Sequence, residues 1–425
     1  MAETRKYGHE GMSDLPEGFK MTEMGPLPEE WEVVRLGEVV KKARSGGTPL
    51  RSKKEYWNGS IPFALIEDLT ASGLYLYRTK ESISEEGLRN SSAWIVPEGS
   101  ILLSMYATIG ATAVNKIPLA TNQAILALVP TENLNAEFGA LLLSYKADEL
   151  ARFNVQSTQK NINKGIVLRF FIPLPPLSEQ RAIAHVLRTV QRAKEATERV
   201  IQATRELKKS LMRYLFTYGP VPMEEAERVP LKETEIGLVP EHWEVVRLGE
   251  VATVKYGKAR PKTQGNVPVI GSGGIYGWTA TSLVDFPTLV IGRKGTAGEV
   301  WLVECPCWPS DTTFYLDWKK RVNVRFLFNY LHSNKPSGEH AKTTLPSLQR
   351  HDVEALLIPF PPLLEQGEIC LILRAVDKKL QAEEARKQAL EALFKSLLNN
   401  LMTGKIRVKD VVLPNVGEGK GDVTH

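Results

Sequence analysis

The spacing of apolar residues predicts two long amphipathic helices in this chain. The stretch Ser178–Thr217 contains no glycine or proline. Within it, apolar or small residues recur in alternating steps of three and four, as in the seam of a coiled coil. The predicted seam of this first helix consists of Ile183, Val186, Val190, Ala193, Thr197, Val200, Thr204, Leu207, Leu211 and Tyr214.

A second helix with the same spacing is predicted from about Leu364 to Met402. Its seam consists of Ile369, Leu373, Val376, Leu380, Leu390, Phe394, Leu397 and Leu401. The middle of this helix is polar, because Glu383, Glu384 and Lys387 lie on or near the seam. Gly404 is expected to end the helix, since glycine commonly occupies the left-handed position after a helix C-terminus.

The regions that precede the two helices are predicted to be β-rich. Short apolar runs alternate with glycine, proline and asparagine turns, as in SILLSMYATIGATAV and AILALVP of the first region and PTLVIGRKGTAGEVWLV of the second. The two regions can be aligned so that Thr108 and Gly110 match Thr296 and Gly298. We therefore expect an α+β fold with two similar β-rich domains that share one scaffold and differ in surface residues.

The chain contains an internal repeat. An opening motif begins each half, GPLPEEWEVVRLGEV at Gly25 and GLVPEHWEVVRLGEV at Gly237, and twelve of the fifteen positions are identical. Each half also contains a proline turn directly before its helix, IPLPPLSEQ at Ile172 and IPFPPLLEQ at Ile358. An ordered unit of this length, present twice, indicates a duplicated domain with pseudo-two-fold symmetry rather than a solenoid.

The N-terminal segment resembles the linker that follows the first helix. KYGHEGM at Lys6 resembles TYGPVPM at Thr217, and KMTEMG at Lys20 matches KETEIG at Lys232. We therefore expect the helices to pack antiparallel within the chain, with the N-terminal segment beside the end of the second helix. A coiled coil between two chains is the alternative. The predicted division is an N-terminal segment 1–24, a first domain 25–172, a first helix 173–218, a linker 219–236, a second domain 237–358, a second helix 359–404 and a tail 405–425.

Composition narrows the class of protein only slightly. The formal net charge of +5 is compatible with a nucleic-acid ligand but does not by itself indicate one. No apolar run approaches the roughly 18–20 residues needed to cross a bilayer, and the polar start has no signal-peptide core, so we expect a cytoplasmic protein without membrane contact. Cys305, Cys307 and Cys370 are expected to be small buried residues rather than disulfide partners or zinc ligands.

Several loops combine glycine, hydroxyl, amide and basic residues in both halves. Lysine and arginine neutralise phosphates, while serine, threonine, asparagine, glutamine and arginine also hydrogen-bond base edges. Any one of these loops could equally be a solvated turn, but the recurrence of the set favours DNA contact. The candidate DNA-binding residues are Arg44, Ser45, Thr48, Arg51, Lys53, Lys54, Tyr56, Ser104, Thr108, Gln159, Lys160, Asn161, Lys258, Arg260, Lys262, Ser272, Arg293, Lys294, Lys342, Thr343, Thr344 and Arg350.

Other conspicuous residues are better explained by structure than by chemistry. Trp31 and Trp243 of the opening motifs are expected to be core aromatics. The chain has no GxxxxGK[ST] phosphate loop, no HExxH motif and no Asn/Asp-Pro-Pro-aromatic tetrapeptide of the kind that amino-methyltransferases carry. Asp311 could be a nuclease carboxylate, but a lone aspartate more commonly has a turn role.

With these motifs in order, the chain resembles the specificity subunit of type I restriction–modification enzymes over nearly its whole length. The resemblance is carried by the two opening motifs, SGGTP at Ser45, ATIG at Ala107, NQA at Asn122, STQKNI at Ser157, IGSGGIYG at Ile270, IGRKG at Ile291 and the two proline turns.

The resemblance implies a non-catalytic DNA-recognition subunit. Each β-rich domain would be a target-recognition domain for one half of a bipartite site on double-stranded DNA. The helices would fix the spacer and dock two modification (methyltransferase) subunits, and restriction (motor–nuclease) subunits would join them. S-adenosylmethionine, ATP and Mg²⁺ would belong to those partners, and this chain would hold no cofactor or metal. The alternatives are an enzyme with an unrecognised nuclease or methyltransferase site, and a coiled-coil adaptor that binds only protein.

Overall fold

A computed structural model describes residues 15–106, 108–152, 162–337 and 347–408. The chain divides into two compact units, which are Met1–Thr197 with Arg386–His425 and Glu198–Ala385. The division falls within both long helices, so each unit contains one half of each helix. The predicted α+β fold class is confirmed. The domain boundaries drawn from the sequence, which treat the helices as separate segments, remain a prediction.

The first unit contains twelve strands in its described residues. They are β1 Phe19–Thr22, β2 Gly25–Pro28, β3 Glu32–Arg35, β4 Val40–Ser45, β5 Trp57–Ala64, β6 Tyr75–Leu76, β7 Glu81–Ile83, β8 Ile101–Ser104, β9 Thr112–Asn115, β10 Ala120–Thr121, β11 Ile125–Pro130 and β12 Phe171–Leu174. Its helices are α1 Ile66–Ala71, α2 Glu85–Arg89, α3 Ala136–Tyr145, α4 Ala147–Arg152, α5 Lys164–Arg169 and the beginning of α6 Leu177–Tyr218. Short 3₁₀ turns occupy Leu36–Val39 and Lys54–Tyr56.

A five-stranded sheet of order β4-β11-β8-β9-β6 forms the centre of this unit. Every residue of β8 is buried, because the sheet is covered on both faces. A three-stranded sheet of order β10-β5-β7 lies in the same unit. The hairpin β1-β2 precedes the β3-β12 pair, in which the opening motif runs antiparallel to the proline turn.

The second unit repeats this plan with fewer elements. Its strands are β13 Leu231–Thr234, β14 Gly237–Pro240, β15 Glu244–Arg247, β16 Ala252–Tyr256, β17 Val267–Gly271, β18 Gly274–Thr279, β19 Thr288–Gly292, β20 Val300–Val303, β21 Trp308–Pro309, β22 Thr313–Trp318 and β23 Leu357–Phe360. Its helices are α7 Leu248–Val251, α8 Val324–Ser333, α9 Arg350–Glu354 and the beginning of α10 Leu363–Met402, with a 3₁₀ helix at Met223–Arg228. The main sheets have orders β16-β22-β19-β20 and β18-β17-β21, and β13-β14 and β15-β23 repeat the hairpin and the motif pair.

The two long helices occur as predicted, but the seam of α6 was predicted only in part. Ile183, Thr197 and Thr204 are buried as expected, whereas Val200 and Leu207 are 39% and 55% exposed. The structure instead buries the residue one position later along the helix, as at Leu187, Ile201 and Leu215. The intermediate positions of this shifted seam include Lys194 and Lys208, whose charges hid it in the sequence.

In α10 the predicted seam agrees with the burial pattern. Ile369, Leu373 and Leu401 are fully buried, and the remaining seam positions are half-buried. Glu383 is 6% exposed, which confirms that a polar residue lies on the seam at the middle of the helix. Lys379 forms an ion pair with it one turn earlier.

The repeated motifs meet at the ends of the long helices. In the first unit, the buried Trp31 Nε1–H donates to Glu179 of the proline turn at 3.0 Å. In the second unit, Trp243 Nε1–H donates to Glu365 at 2.8 Å. Both tryptophans are fully buried, so the prediction that they are core aromatics is confirmed. The glutamate of each proline turn therefore fixes the tryptophan of the opening motif.

The glutamine that follows this glutamate also has the same role in both units. The Gln180 side chain accepts from the backbone N–H of Asn135, the N-cap of α3, at 2.8 Å. The Gln366 side chain accepts from the backbone N–H of Asn323, the N-cap of α8, also at 2.8 Å. Each amide group donates back to a proline carbonyl at the start of the long helix. The buried glutamine of each proline turn thus joins the long helix to its sheet domain by hydrogen bonds.

The cysteines were predicted correctly in two of three cases. Cys307 and Cys370 are buried, and burial raises the pKa of their thiols to about 12 and about 11. Cys305 is exposed, which corrects the expectation that all three are buried; in the same loop, Cys307 is held by backbone hydrogen bonds to Val284. Among the described helices, none is long and apolar enough to cross a membrane.

Candidate nucleic-acid interface

At one edge of the main sheet of the second unit, strands β16 and β19 end and strand β22 begins. Tyr256, the last residue of β16, pairs with Phe314, and Gly292, the last residue of β19, pairs with Thr313. The loops that follow β16 and β19 therefore meet the loop that precedes β22. Backbone hydrogen bonds fix this meeting point, because Lys258 N–H donates to the Pro309 carbonyl and Lys294 N–H donates to the Thr312 carbonyl.

A basic and aromatic cluster results at this edge, which we name the strand-end cluster. It consists of Tyr256, Lys258, Arg293 and Lys294. Tyr256 is 47% exposed, and the two lysines are exposed. Asp311, whose neighbours Ser310 and Thr313 close a backbone turn, lies in the loop before β22, which confirms a turn position for it. Cationic groups beside an exposed aromatic ring suit a polyanionic ligand with stacked bases.

Glycine makes the close packing of these loops possible. A side-chain carbon at Gly257 would lie 2.0 Å from the Ser310 carbonyl oxygen. Gly298 has a φ of +84°, and a side-chain carbon there would lie 2.3 Å from the Pro336 carbonyl oxygen. The glycines in the sequence motifs are therefore required by backbone packing, whatever the loops bind.

Next to the strand-end cluster, strand β18 presents an apolar surface. Ile275, Tyr276 and Trp278 are 59%, 54% and 50% exposed. Arg260 Nη2 donates to the Trp278 carbonyl at 3.1 Å, so this predicted DNA-binding residue lies along the same strand. Ser272 lies in the turn between β17 and β18, and its carbonyl accepts from Trp301. Contiguous exposed aromatic residues of this kind commonly mark a binding surface.

The first unit has the same backbone arrangement at the corresponding edge. A side-chain carbon at Gly46 would lie 1.8 Å from the Thr121 carbonyl oxygen, which matches the contact at Gly257. Met105 N–H donates to the Ala124 carbonyl, and Met105 in turn accepts from Ile162 N–H. Arg293 makes the equivalent two backbone bonds. Its N–H donates to the Thr312 carbonyl, and its carbonyl accepts from Leu348 N–H. Gly110 also has a φ of +84°, as Gly298 does, which confirms the alignment made from the sequence.

The side chains at these equivalent positions differ between the units. Ser45, Gly47, Met105 and Tyr106 in the first unit correspond to Tyr256, Lys258, Arg293 and Lys294 in the second. The first unit therefore has no positive charge at these four positions, whereas the second unit has three.

The predicted residues of the first unit occupy several different places. Arg44 is exposed on β4 and donates to the Ser92 carbonyl, and Thr48 donates to Gln123 at 2.7 Å. Arg51 lies 3.8 Å above the ring of Trp57 and pairs with Glu81 at 2.8 Å. Lys53 pairs with Glu55 at 3.5 Å, while Lys54 and Tyr56 lie on the adjacent 3₁₀ turn, and Thr108 is exposed.

One candidate is corrected by its burial. Ser104 is fully buried at the end of β8, and its hydroxyl donates to the Tyr106 carbonyl at 2.9 Å. It aligns with Gly292, so the position belongs to the sheet and does not face a ligand.

The other candidates of the second unit are less informative. Lys262 is exposed, and Arg350 pairs with Glu354 on α9 at 2.7 Å. Six candidates lie outside the described residues, namely Gln159, Lys160, Asn161, Lys342, Thr343 and Thr344.

The candidates chosen from the sequence by residue type did not include most aromatic residues of this surface. Tyr256, Tyr276 and Trp278 lie next to glycines in the loops already singled out, and their exposure on an edge strand was the missing information. Within the described ranges, no group of three or more His, Cys, Asp or Glu side chains could hold a metal ion.

Comparisons with known proteins identify the family of the chain. The profile of the family described as "Type I restriction modification DNA specificity domain" matches residues 28–205 and 240–392. The chain is 29% identical to the putative type I restriction enzyme MjaX specificity subunit of Methanocaldococcus jannaschii, covering 92% of this chain and 97% of that protein. It is 26% identical to the MjaVIII specificity subunit of the same organism, covering 93% and 97%.

Solved structures share the fold. The type I restriction–modification S subunit from M. genitalium matches with a TM-score of 0.58 at 17% identity, over 87% of this chain and 96% of that one. A structure reported under complex assembly and conformational transition of the type I restriction–modification system matches with a TM-score of 0.54 at 20% identity, over 89% and 99%.

The chain belongs to the family of type I restriction–modification DNA specificity subunits. These are the DNA-recognition components of their complexes and not the catalytic ones.

Proposed function

We propose that each unit reads one half of a bipartite site on double-stranded DNA, through the strand-end positions described above. The observation that carries this proposal is that both units build the same backbone arrangement and place different residues on it. A shared scaffold with different contact residues is what two modules for two different half-sites require, because base edges are distinguished by the donors and acceptors opposite them.

The long helices would set the spacer between the half-sites and dock two methyltransferase subunits, with restriction subunits joining the complex. Helix α6 has 42 residues, about 63 Å at ~1.5 Å per residue, and its two halves belong to different units. Val200, Leu207 and Leu371 are exposed apolar residues on the helices and would suit protein contact. S-adenosylmethionine, ATP and Mg²⁺ would be held by those partners, and the complex would act in the cytoplasm.

A domain exchange tests the modular reading. Residues 40–170 are replaced by the equivalent region of another specificity subunit, and the chain is expressed with its modification subunit in a host whose DNA methylation is then sequenced. The expected result is a new methylated motif in which one half-site changes and the other half-site and the spacer length persist. A motif in which both halves change, or neither does, would contradict the proposal.

Salt dependence separates this function from the protein-only adaptor. DNA affinity of the complex is expected to fall steeply between 50 and 200 mM salt, as found for proteins that contact several phosphates. Lys258→Ala and Lys294→Ala should each reduce the slope of log affinity against log salt by about 1. Lys335→Ala, which removes a lysine paired with Glu299, is the matched control and should leave the slope unchanged. A complex without DNA binding at low salt would favour the adaptor.

A further inference from the structure

Arg293 is held more firmly than the other basic residues of the strand-end cluster. Its backbone N–H donates to the Thr312 carbonyl and its carbonyl accepts from Leu348 N–H, both at 2.9 Å. The residue directly follows β19, so its Cα is fixed by the sheet as well as by these two bonds. The backbone of Arg293 therefore gives its side chain a fixed starting point on the surface.

The guanidinium of Arg293 packs on aromatic rings and has no hydrogen-bond partner among the described residues. Its Cζ lies 5.2 Å from the centre of the Tyr256 ring and 6.0 Å from that of Phe314, and the two rings pack at 5.1 Å. Its Nε is buried without a partner. Because Nε is shielded from solvent, an external ligand would contact the terminal Nη groups of this guanidinium, which have donors to offer.

We propose that Arg293 reads a guanine in the half-site of the second unit and that Tyr256 positions its guanidinium. This inference rests on the bipartite reading proposed above and names the residue and base that would carry part of it. Arginine presents a planar fork of donors that matches the O6 and N7 acceptors of guanine in the major groove. Packing against Tyr256 fixes the plane of that fork before DNA arrives, which lowers the entropic cost of the contact.

The neighbouring cations fit phosphate contact better. Lys258 and Lys294 are exposed point charges on flexible stems, and Arg260 already uses one Nη group on the Trp278 carbonyl. Lysine lacks the planar fork of donors that arginine has, and its compact charge on a flexible stem suits a phosphate.

The equivalent position in the first unit has a different residue. Met105 occupies the position of Arg293, is 5% exposed and has no hydrogen-bond donor in its side chain. Arg293 would therefore determine one base pair in only one half-site.

The test uses the complete complex with its modification subunits. The methylated motif of the wild type is first determined by sequencing host DNA. Binding is then measured on duplexes in which each base pair of the motif is replaced in turn. For Arg293→Lys, which keeps the positive charge, preference for one G·C pair of one half-site should fall by roughly 5- to 150-fold, as expected for a lost bidentate contact. Preferences at all other positions should be unchanged.

Four further variants complete the test. Arg293→Gln should lose the same preference for one G·C pair. It replaces Arg293→Lys in the test if the lysine variant does not assemble into the complex. Tyr256→Ala should reduce discrimination at that same base pair. Tyr256→Phe keeps the aromatic ring and should retain this discrimination. Arg325→Lys is the matched control, because this arginine pairs with Glu304 elsewhere in the second unit.

Two results would overturn the inference. Full discrimination at every position in both Arg293 variants would exclude base reading by this residue. A uniform loss of affinity for all duplexes, with discrimination intact, would make Arg293 a phosphate contact. Absence of any bipartite motif in the wild type is a separate result that would refute the proposed function itself.

Discussion

The strand-end positions of the two units differ in charge, although the same backbone hydrogen bonds hold them. Gly46 and Gly257 make the same close approach to a carbonyl, yet the four strand-end positions carry no charge in the first unit and three positive charges in the second. The scaffold depends on glycines and main-chain bonds, which place few demands on the neighbouring side chains. Such a scaffold can change what it contacts without changing its fold.

The helix-end anchors show the opposite relation, because the tryptophan and glutamate are the same but their surroundings differ. In the first unit, Arg407 donates to both oxygens of Glu179 and also to Glu30, and the Glu179 side chain is only 3% exposed. In the second unit, Glu365 is 22% exposed and pairs with His242, which is 56% exposed. The anchor of the first unit thus includes a buried ion pair, whereas that of the second includes a partly exposed hydrogen bond between Glu365 and His242.

Breaking the two anchors should therefore have unequal effects. Arg407→Ala leaves a buried carboxylate without its main partner, and we expect it to destabilise the first unit by about 3 kcal/mol. His242→Ala removes an exposed partner and should cost about 0–1 kcal/mol. Hydrogen exchange measured segment by segment would assign each loss to its unit. Equal losses in the two units would show that burial does not distinguish the anchors.

Acid should weaken the first anchor, and Glu179→Gln should remove this dependence on pH. Burial alone would raise the pKa of Glu179, but hydrogen bonds from Arg407 and Trp31 outweigh it and hold the pKa below its ordinary value of 4.5. Because the folded-state pKa is the lower one, this stabilisation is complete above about pH 4.5 and is lost as the pH falls through the folded-state value.

The corresponding measurement is hydrogen exchange of the first unit across this pH range. In Glu179→Gln the acid-dependent part of the protection should be absent, although the variant is less stable throughout. If the wild type and the variant lost protection in parallel as the pH fell, another group would be responsible.

The glycines that end the long helices offer a smaller contrast. Gly404 and Gly219 both have positive φ, +68° and +81°, so alanine should cost about 1–2 kcal/mol at either position. At Gly404 the added carbon would also lie 2.4 Å from Pro28, whereas at Gly219 the nearest atom is Trp243 Cζ2 at 3.5 Å. Gly404→Ala should therefore be the more destabilising change in thermal unfolding. An equal or larger effect of Gly219→Ala would contradict the packing argument.

Local patterns and the repeat carried most of what the sequence could predict. The spacing of apolar residues predicted the two helices, a local helix-end rule predicted the glycine after the second helix, and identity between the halves drew attention to the two buried tryptophans. The seam of α6 was predicted one residue off at alternate positions, since Lys194 and Lys208 lie on it and look like surface residues. Ile201 was overlooked because it lies on the same row of the helix as these two lysines.

The site was less predictable because it depends on which strands are neighbours. Ser104 and Arg293 each follow or end an apolar run and look alike as candidates, yet one is buried in the sheet and the other packs on Tyr256. The partner of Trp31 lies 148 residues away, and no local pattern indicates it. Register and strand order supply that information, and single-sequence periodicity does not.

The smallest expected effect concerns the contacts between the halves of the long helices. In the first unit, Lys194 Nζ lies 5.4 Å from the ring centre of Phe394. In the second, Arg205 pairs with Glu384 at 2.8 Å, with side chains 53% and 41% exposed. An exposed ion pair gains little in water and is screened by salt, so Arg205→Ala should cost about 0.2–1 kcal/mol at low salt and almost nothing at 1 M.

Lys194→Ala is the matched substitution in the first unit, and its cost should vary less with salt because packing of the lysine stem on a ring contributes to it. Urea unfolding of both variants at low and high salt provides the comparison. If the cost of Arg205→Ala persisted at 1 M salt, the arginine would be stabilising the helix through packing of its own stem. The two units would then join their helix halves by the same physical means, and the contrast between them would be confined to the anchors and the strand-end positions.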